Sequence, residues 1–324
     1  MKFIIVTIVL FLLELLYFKI AKRYKIIDSP NQRSSHSRIT IRGGGIIFPI
    51  AILLAFFLGY ISGTVTWTIL LVATISFVDD IKPISRKTRF GFHVIAVLLI
   101  AHELNLFDDP FWALPLVLVV AVGWINAFNF MDGINGITVL YALSAILCFS
   151  YLPVNASSIP LLTVMGISCM VFGFFNIRTK AKTFAGDVGS VSMGLFLGYF
   201  MIKTIVETEQ IGYILFFSVY GIDAIFTIIY RIGKRENIFE AHRSHLYQYL
   251  ANECGYSQVG ISIIYATLQL LINILIIYLD VKGSLSLFAT LGILLVLSLF
   301  YLVVRGVVVR KIGFKKQENN YFFN

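Results

Sequence analysis

Charge is scarce in this chain. Of 324 residues, 13% are Asp, Glu, Lys or Arg, where a water-facing surface calls for about 25%. That shortage excludes a soluble enzyme, a disordered tail and a coiled coil. Cysteine is scarce too. Cys148, Cys169 and Cys254 show neither paired nor metal-like spacing, so they read as reduced packing residues. No Pro-, Ser- or Gln-rich linker divides the chain, and no internal repeat is visible. The apolar runs lack two-residue alternation, which argues against a transmembrane β-barrel. What is abundant is apolar: 58% of the residues and a mean hydropathy of +0.87. The expected fold class is an all-α integral membrane protein.

A span needs about 20 apolar residues. Eleven candidates run roughly over 3–20, 43–62, 63–78, 89–103, 111–130, 135–153, 157–175, 188–206, 210–230, 258–279 and 284–304. The third and fourth are short, so about 10–11 transmembrane helices are expected. No small-x-small cleavage site follows Lys2 to Ile20, and the basic stretch comes after that run. It reads as a retained first span. The net charge is +9. Lys and Arg gather in the odd-numbered loops and the C-terminal tail, so the charge orients the protein and does not signal nucleic acid. The expectation is an N-terminus outside and a C-terminus in the cytoplasm. Residues 1–304 form one membrane domain, and 305–324 form a basic cytoplasmic tail.

Five polar clusters then fall on one side, the cytoplasmic one. The first runs from Asp28 through Arg33 and His36 to Arg42-Gly43-Gly44-Gly45. The others are Asp79-Asp80, Asn126 to Gly133, Gly186-Asp187-Val188-Gly189-Ser190, and His242-Arg243-Ser244-His245. Each has a plain structural alternative: Asp79-Asp80 and Asp187 as helix caps, Asn126 and Asn129 as interhelical hydrogen bonders, Asp132-Gly133 as a turn, the histidines as solvated. Together, on one side, they point to a single site at the membrane surface. Carboxylates and amide oxygens there suit a hard cation such as Mg²⁺. Arg, Lys and His suit phosphate, and glycine turns let backbone N–H groups approach anions. Two carboxylates lie within spans. Asp223, eight residues before Arg231, is a functional candidate; Glu14 has no nameable partner.

In order and spacing the motifs Asp79-Asp80, Asn126-x-x-Asn129-x-x-Asp132-Gly133 and Gly186-Asp187-x-Gly189-Ser190 resemble those of the polyprenyl-phosphate N-acetylhexosamine-1-phosphate transferases, glycosyltransferase family 4, over about residues 26–250. The resemblance implies transfer of a sugar 1-phosphate from a UDP-N-acetylhexosamine to undecaprenyl phosphate, giving a lipid diphosphate sugar and UMP. It implies Mg²⁺, with Mn²⁺ as an alternative, and a bacterial cytoplasmic membrane with the active site facing the cytoplasm. It admits a homodimer. It makes Asn129 and Asp187 the metal ligands and Asp79 and Asp80 the essential acidic pair by the acceptor phosphate. It gives Arg33, His36, Arg42, Asp132, Asn176, His242 and His245 to substrate binding. The last loop reads His-Arg-Ser-His, not three consecutive histidines. That resembles the branch starting O-antigen or capsule chains more than the phospho-MurNAc-pentapeptide translocase. Ile39 and Ile41 stand where the family's first loop usually carries prolines. The competing classes are a transporter, which would place charge near the midplane, and a lipid diphosphate phosphatase.

Overall fold

The computed structural model describes residues 1–30, 35, 38–108, 110–237 and 242–322, with side chains described as far as 313. Arg33 and His36 lie outside the described residues. The helices are α1 (Lys2–Arg23), α2 (Ile47–Phe57), α3 (Gly63–Ile81), α4 (Arg86–Glu103), α5 (Ala113–Met131), α6 (Ile137–Tyr151), α7 (Ile159–Asn176), α8 (Gly186–Thr208), α9 (Ser218–Gly233), the single turn α10 (Leu246–Gln248), α11 (Gln258–Val281) and α12 (Leu287–Phe322). Each of the eleven expected spans coincides with one of them. Among the described residues eight helical stretches are long and apolar enough to cross a bilayer; α2 and α6 are shorter apolar helices, and α4 is in neither group. The protein is an all-α integral membrane protein. The third span is longer than its apolar run, because α3 continues through Asp79 and Asp80 to Ile81.

Local signals place the helix starts. The side chains of Ser62, Ser85 and Ser257 accept from the backbone N–H groups of Val65, Thr88 and Gly260, capping α3, α4 and α11. Each cap satisfies a donor that the helix leaves unpaired.

Helix α8 is the centre of the bundle. Of its membrane-spanning stretch 83% is buried, against 11% for α12, so α12 faces lipid. The small residues of α8 make that burial feasible, since close backbone approach drives helix packing in lipid. Phe128 of α5 lies against Gly194, and Trp124 against Gly198. The indole N–H of Trp124 donates to the Gly194 carbonyl at 2.8 Å.

One polar network inside the bundle is centred on Gln269, pairing polar groups with one another as a medium without water favours. The carbonyl oxygen of Gln269 accepts from the Tyr141 hydroxyl at 2.6 Å and from the Val219 N–H at 2.9 Å. Its amide donates to Leu215 O at 2.9 Å. These bonds hold the junction where the 3₁₀ turn Ile211–Phe217 becomes α9.

Candidate active site

A two-residue strand, β2 (Thr40–Ile41), pairs antiparallel with β1 (Ile27–Asp28). It carries the chain into Arg42 and the Gly43–Gly45 turn. That turn is pinned to the approach to α8. Phe184 N–H donates to Ile41 O at 2.9 Å, Gly44 N–H to Phe184 O at 2.9 Å, and Gly45 N–H to Ala185 O at 3.0 Å. Two glycines are required by the closeness of this contact. A Cβ on Gly45 would overlap Gly189 Cα and stand 2.7 Å from Ala185 O. Gly186 adopts φ +69°, and a Cβ there would meet the Asp80 carboxylate at 2.5 Å and Gly43 N at 2.9 Å. Gly45→Ala is therefore expected to cost about 1–3 kcal/mol through overpacking, read as a lower unfolding temperature in detergent. Gly91→Ala, where a Cβ meets nothing within 4 Å, is the control and should not fall.

Asp80 lies with its side chain fully buried. It accepts from the backbone N–H groups of Asp187 at 2.9 Å and Val188 at 3.0 Å, and from Arg42 Nε at 2.7 Å. It thus caps α8 from α3. Asp187 does not cap its own helix; it sits in the first turn of α8. Asp79, one residue before Asp80, accepts from Ile84 N–H at 2.5 Å. Arg89 of α4 joins the two layers, donating to Asp79 Oδ2 at 2.7 Å and Asp187 Oδ2 at 2.9 Å. Arg42 Nη2 is 3.8 Å from Asp187 Oδ1, too far for a hydrogen bond, so that oxygen keeps acceptor capacity.

A polar cavity of about 470 Å³ opens in front of this layer. Arg42, Arg89, Asn129, Asp132, Asn176 and Asp187 all line it, so three of the five polar clusters converge on one space with Arg89 of α4 and Asn176 of α7. Asp79 and Asp80 stand behind the lining. Asn129 Oδ1 accepts from Ser190 Oγ at 2.7 Å, tying α5 to α8. Asn126 turns away and bonds its own helix at Val122 O. Asn176 staples the floor, accepting from Gly136 N–H at 2.7 Å and donating to Thr183 O at 2.9 Å. Asp132 accepts from the Thr138 hydroxyl. Burial, and secondarily the nearby Asp80 charge, push the Asp132 carboxyl up to about 6 against that hydrogen bond; it remains mostly ionised at neutral pH.

The histidines are placed differently from the substrate contacts expected. His245 is buried, with Nδ1 3.3 Å from Asp223 Oδ1. Asp223 also accepts from Leu246 N–H at 3.1 Å, Tyr265 at 2.8 Å and Tyr301 at 3.0 Å. Arg305 of α12 closes the network, donating to Tyr301 at 2.8 Å and to Ser244 O at 2.9 Å. The intramembrane aspartate therefore anchors the histidine loop. The loop in turn presents Gln248, which lines the cavity, and Tyr247, whose hydroxyl donates to Phe130 O at 3.0 Å. Burial, and then the proximity of His245 and Arg231, hold the His242 imidazole down to about 4. At neutral pH it carries no charge to offer a phosphate. Arg89, Gln248, Gln258 and Asn135 are cavity residues that the motifs did not reveal.

Among the described residues no group of three or more His, Cys, Asp or Glu forms a metal cage. The donor set nevertheless fits Mg²⁺, which keeps several waters and takes one or two carboxylates together with substrate phosphates. Asp187 and Asn129 share the cavity wall, and among the described residues no donor is hydrogen-bonded to Asp187 Oδ1.

The fold and this cavity define a polytopic membrane protein with an acidic–basic cluster at one end of its helices. Residues 62–205 match glycosyl transferase family 4. The phospho-N-acetylmuramoyl-pentapeptide-transferase of Thermotoga maritima is 30% identical over 213 residues, covering 59% of this chain and 68% of the relative. The probable undecaprenyl-phosphate N-acetylglucosaminyl 1-phosphate transferase of Bacillus subtilis is 26% identical over 289 residues, covering 77% of each chain. The undecaprenyl-phosphate alpha-N-acetylglucosaminyl 1-phosphate transferase of Thermotoga maritima is 24% identical over 244 residues, 72% of this chain and 76% of the relative. The chain belongs to glycosyl transferase family 4, the polyprenyl-phosphate N-acetylhexosamine-1-phosphate transferases.

Proposed function

We propose that the protein transfers an N-acetylhexosamine 1-phosphate from a UDP-sugar to undecaprenyl phosphate. The products are undecaprenyl-diphosphate-sugar and UMP, in the first membrane step of an O-antigen- or capsule-type polysaccharide. The observation that carries this reading is the Asp79–Arg89–Asp187–Arg42 cluster at the wall of a polar cavity at one end of the bundle. Charge at the end of the spans suits a lipid phosphate at the interface and disfavours a transport path through the midplane. The excess of Lys and Arg in the loops at that end supports a cytoplasmic face in a bacterial cytoplasmic membrane.

The acceptor is a phosphate monoester with its second pKa near 6, so it is largely dianionic and needs little deprotonation. One acceptor oxygen attacks the sugar-bound phosphorus of the donor. The bond from that phosphorus to the bridging oxygen breaks, and UMP departs with the electron pair. Positioning and charge neutralisation dominate such a step. Arg42 and Arg89 clamp donor oxygens from the cavity wall, and Asp79 orients Arg89. Asp187 and Asn129 would hold Mg²⁺, which would supply neutralising charge for a diphosphate. Asp132, Asn176 and Gln248 hold the nucleotide sugar. Arg89→Lys keeps the charge but loses the two-way fork. It is expected to lower kcat about tenfold and Arg89→Ala about 10²-fold, measured as UMP release.

The test is direct. Membranes containing the chain are assayed with undecaprenyl phosphate, Mg²⁺ and a panel of UDP-N-acetylhexosamines, following UMP and lipid-linked sugar. Donor-selective formation of both products is expected. Release of inorganic phosphate from a lipid diphosphate without any nucleotide donor would identify a phosphatase. UMP release from the donor without lipid would replace direct attack by a covalent aspartyl route.

A further inference from the structure

A second surface lies outside the active site. A trough of about 730 Å³ lies along α1 and the end of α7. Leu12, Leu15, Leu16, Lys19 and Lys22 line it. Their spacing puts them on one face of α1, which changes from leucine to lysine over about 15 Å at 1.5 Å per residue. The opposite face of α1 is spent on the bundle through Val6, Leu10, Glu14 and Tyr17. Leu12, Leu16 and Ile39 are 58%, 50% and 65% exposed, so among the described residues no side chain fills the trough. Phe175 and Ile41 form its floor, and Lys182, 5.8 Å above the Phe175 ring, completes a three-lysine rim. Among the described residues no carboxylate lines it, and none of the three lysines is in an ion pair.

We propose that this trough binds an anionic phospholipid of the bilayer, its headgroup phosphate on Lys19, Lys22 and Lys182 and an acyl chain along Leu16, Leu15 and Leu12. The charge gradient fixes the chemistry: a phosphate at the lysine rim, hydrocarbon below it. The partition fixes which lipid. Ile41 lines the trough while Arg42, the next residue, lines the catalytic cavity. The strand and the Thr183–Ala185 segment bonded to it stand between the two spaces. A phosphate on the lysines is thus walled off from Asp187 and Arg89. The occupant is a resident lipid that backs strand β2, not the reacting acceptor. This inference does not depend on which reaction the cavity performs.

The full-length protein is reconstituted in phosphatidylcholine nanodiscs with and without phosphatidylglycerol, and lipid retention is read by native mass spectrometry. Wild type should retain one phosphatidylglycerol. The Lys19→Gln/Lys22→Gln/Lys182→Gln variant should bind it on the order of 100-fold more weakly, at about 1 kcal/mol for each lysine near the surface. A charge-matched control, Lys234→Gln/Arg310→Gln/Lys311→Gln, should retain it. Leu16→Trp, which leaves every lysine in place and blocks the trough, should also lose it. Equal loss in the control would reduce the effect to diffuse surface charge and overturn the site. Retention in Leu16→Trp would overturn the acyl-chain placement. Displacement of phosphatidylglycerol by stoichiometric undecaprenyl phosphate would show that the trough is the acceptor's groove, and the resident-lipid assignment would be wrong.

Discussion

Replacing Asp187 with alanine will leave the protein folded and cut UMP formation by about 10²–10³-fold, the usual loss when one preorganised transition-state contact is removed. The side chain is 19% exposed on the cavity wall, so truncation opens no hole in the core. The capping of α8 survives, because Asp80 performs it through the backbone N–H groups of residues 187 and 188. Two guanidiniums converge on this carboxylate, Arg89 at 2.9 Å and Arg42 at 3.8 Å. Removing it leaves the cavity more positive. The anionic donor should bind at least as well, so the loss falls on kcat and KM stays level or drops. Asp187→Asn, which keeps the shape, should lose nearly as much. Steady-state kinetics at several Mg²⁺ concentrations, with unfolding temperatures measured in parallel, decide the matter. A variant with wild-type kcat would remove Asp187 from the chemistry.

The spans were legible because hydrocarbon imposes one rule on every residue of a span. Helix α3 escaped that rule at its end, where Asp79 and Asp80 continue the helix through partners supplied by Arg42, Arg89 and the start of α8. The site was legible as a set of motifs on one side, and Arg42, Asn129, Asp132, Asn176 and Asp187 do meet in one cavity. Arg89 was not legible. It sits in the basic run Arg86-Lys87-Thr88-Arg89, which reads as a loop that orients the protein, and its partner Asp187 is 98 residues away. The signal available was the position of that run immediately after two aspartates. The contact of His245 with Asp223 was not legible for the same reason. A buried Asp223 requires donors, and the sequence offers Arg231 on its own helix more readily than a histidine 22 residues on. Among the described residues neither carboxylate oxygen of Glu14 has a hydrogen-bond partner.

Asp80→Ala should separate the two adjacent aspartates by what it breaks. Asp80 satisfies two N–H groups at the buried start of α8 and the Nε of Arg42 with one carboxylate. Alanine leaves those donors without an acceptor and Arg42 without its buried partner. Breaking a buried pair from one side costs about 3–5 kcal/mol. Arg42 remains 35% exposed and can turn to water, which places the expected loss near about 3 kcal/mol. Against a total of about 5–15 kcal/mol, that is a large drop in unfolding temperature and in yield of folded protein. Asp79→Ala removes a contact to Ile84 N–H and to Arg89 at the end of α3. It should unfold little earlier than wild type and still lose activity, because Arg89 is no longer held toward Asp187. Asp80→Asn, which keeps an acceptor for the helix N-terminus but not the charge for Arg42, should fall between. Thermal unfolding in detergent, paired with kcat for all three variants, tests the division. If Asp80→Ala is as stable as wild type and inactive, the carboxylate is a reacting group and α8 is held by something else; if it is unstable and Asp79→Ala is not, one aspartate builds the site and its neighbour aims the arginine.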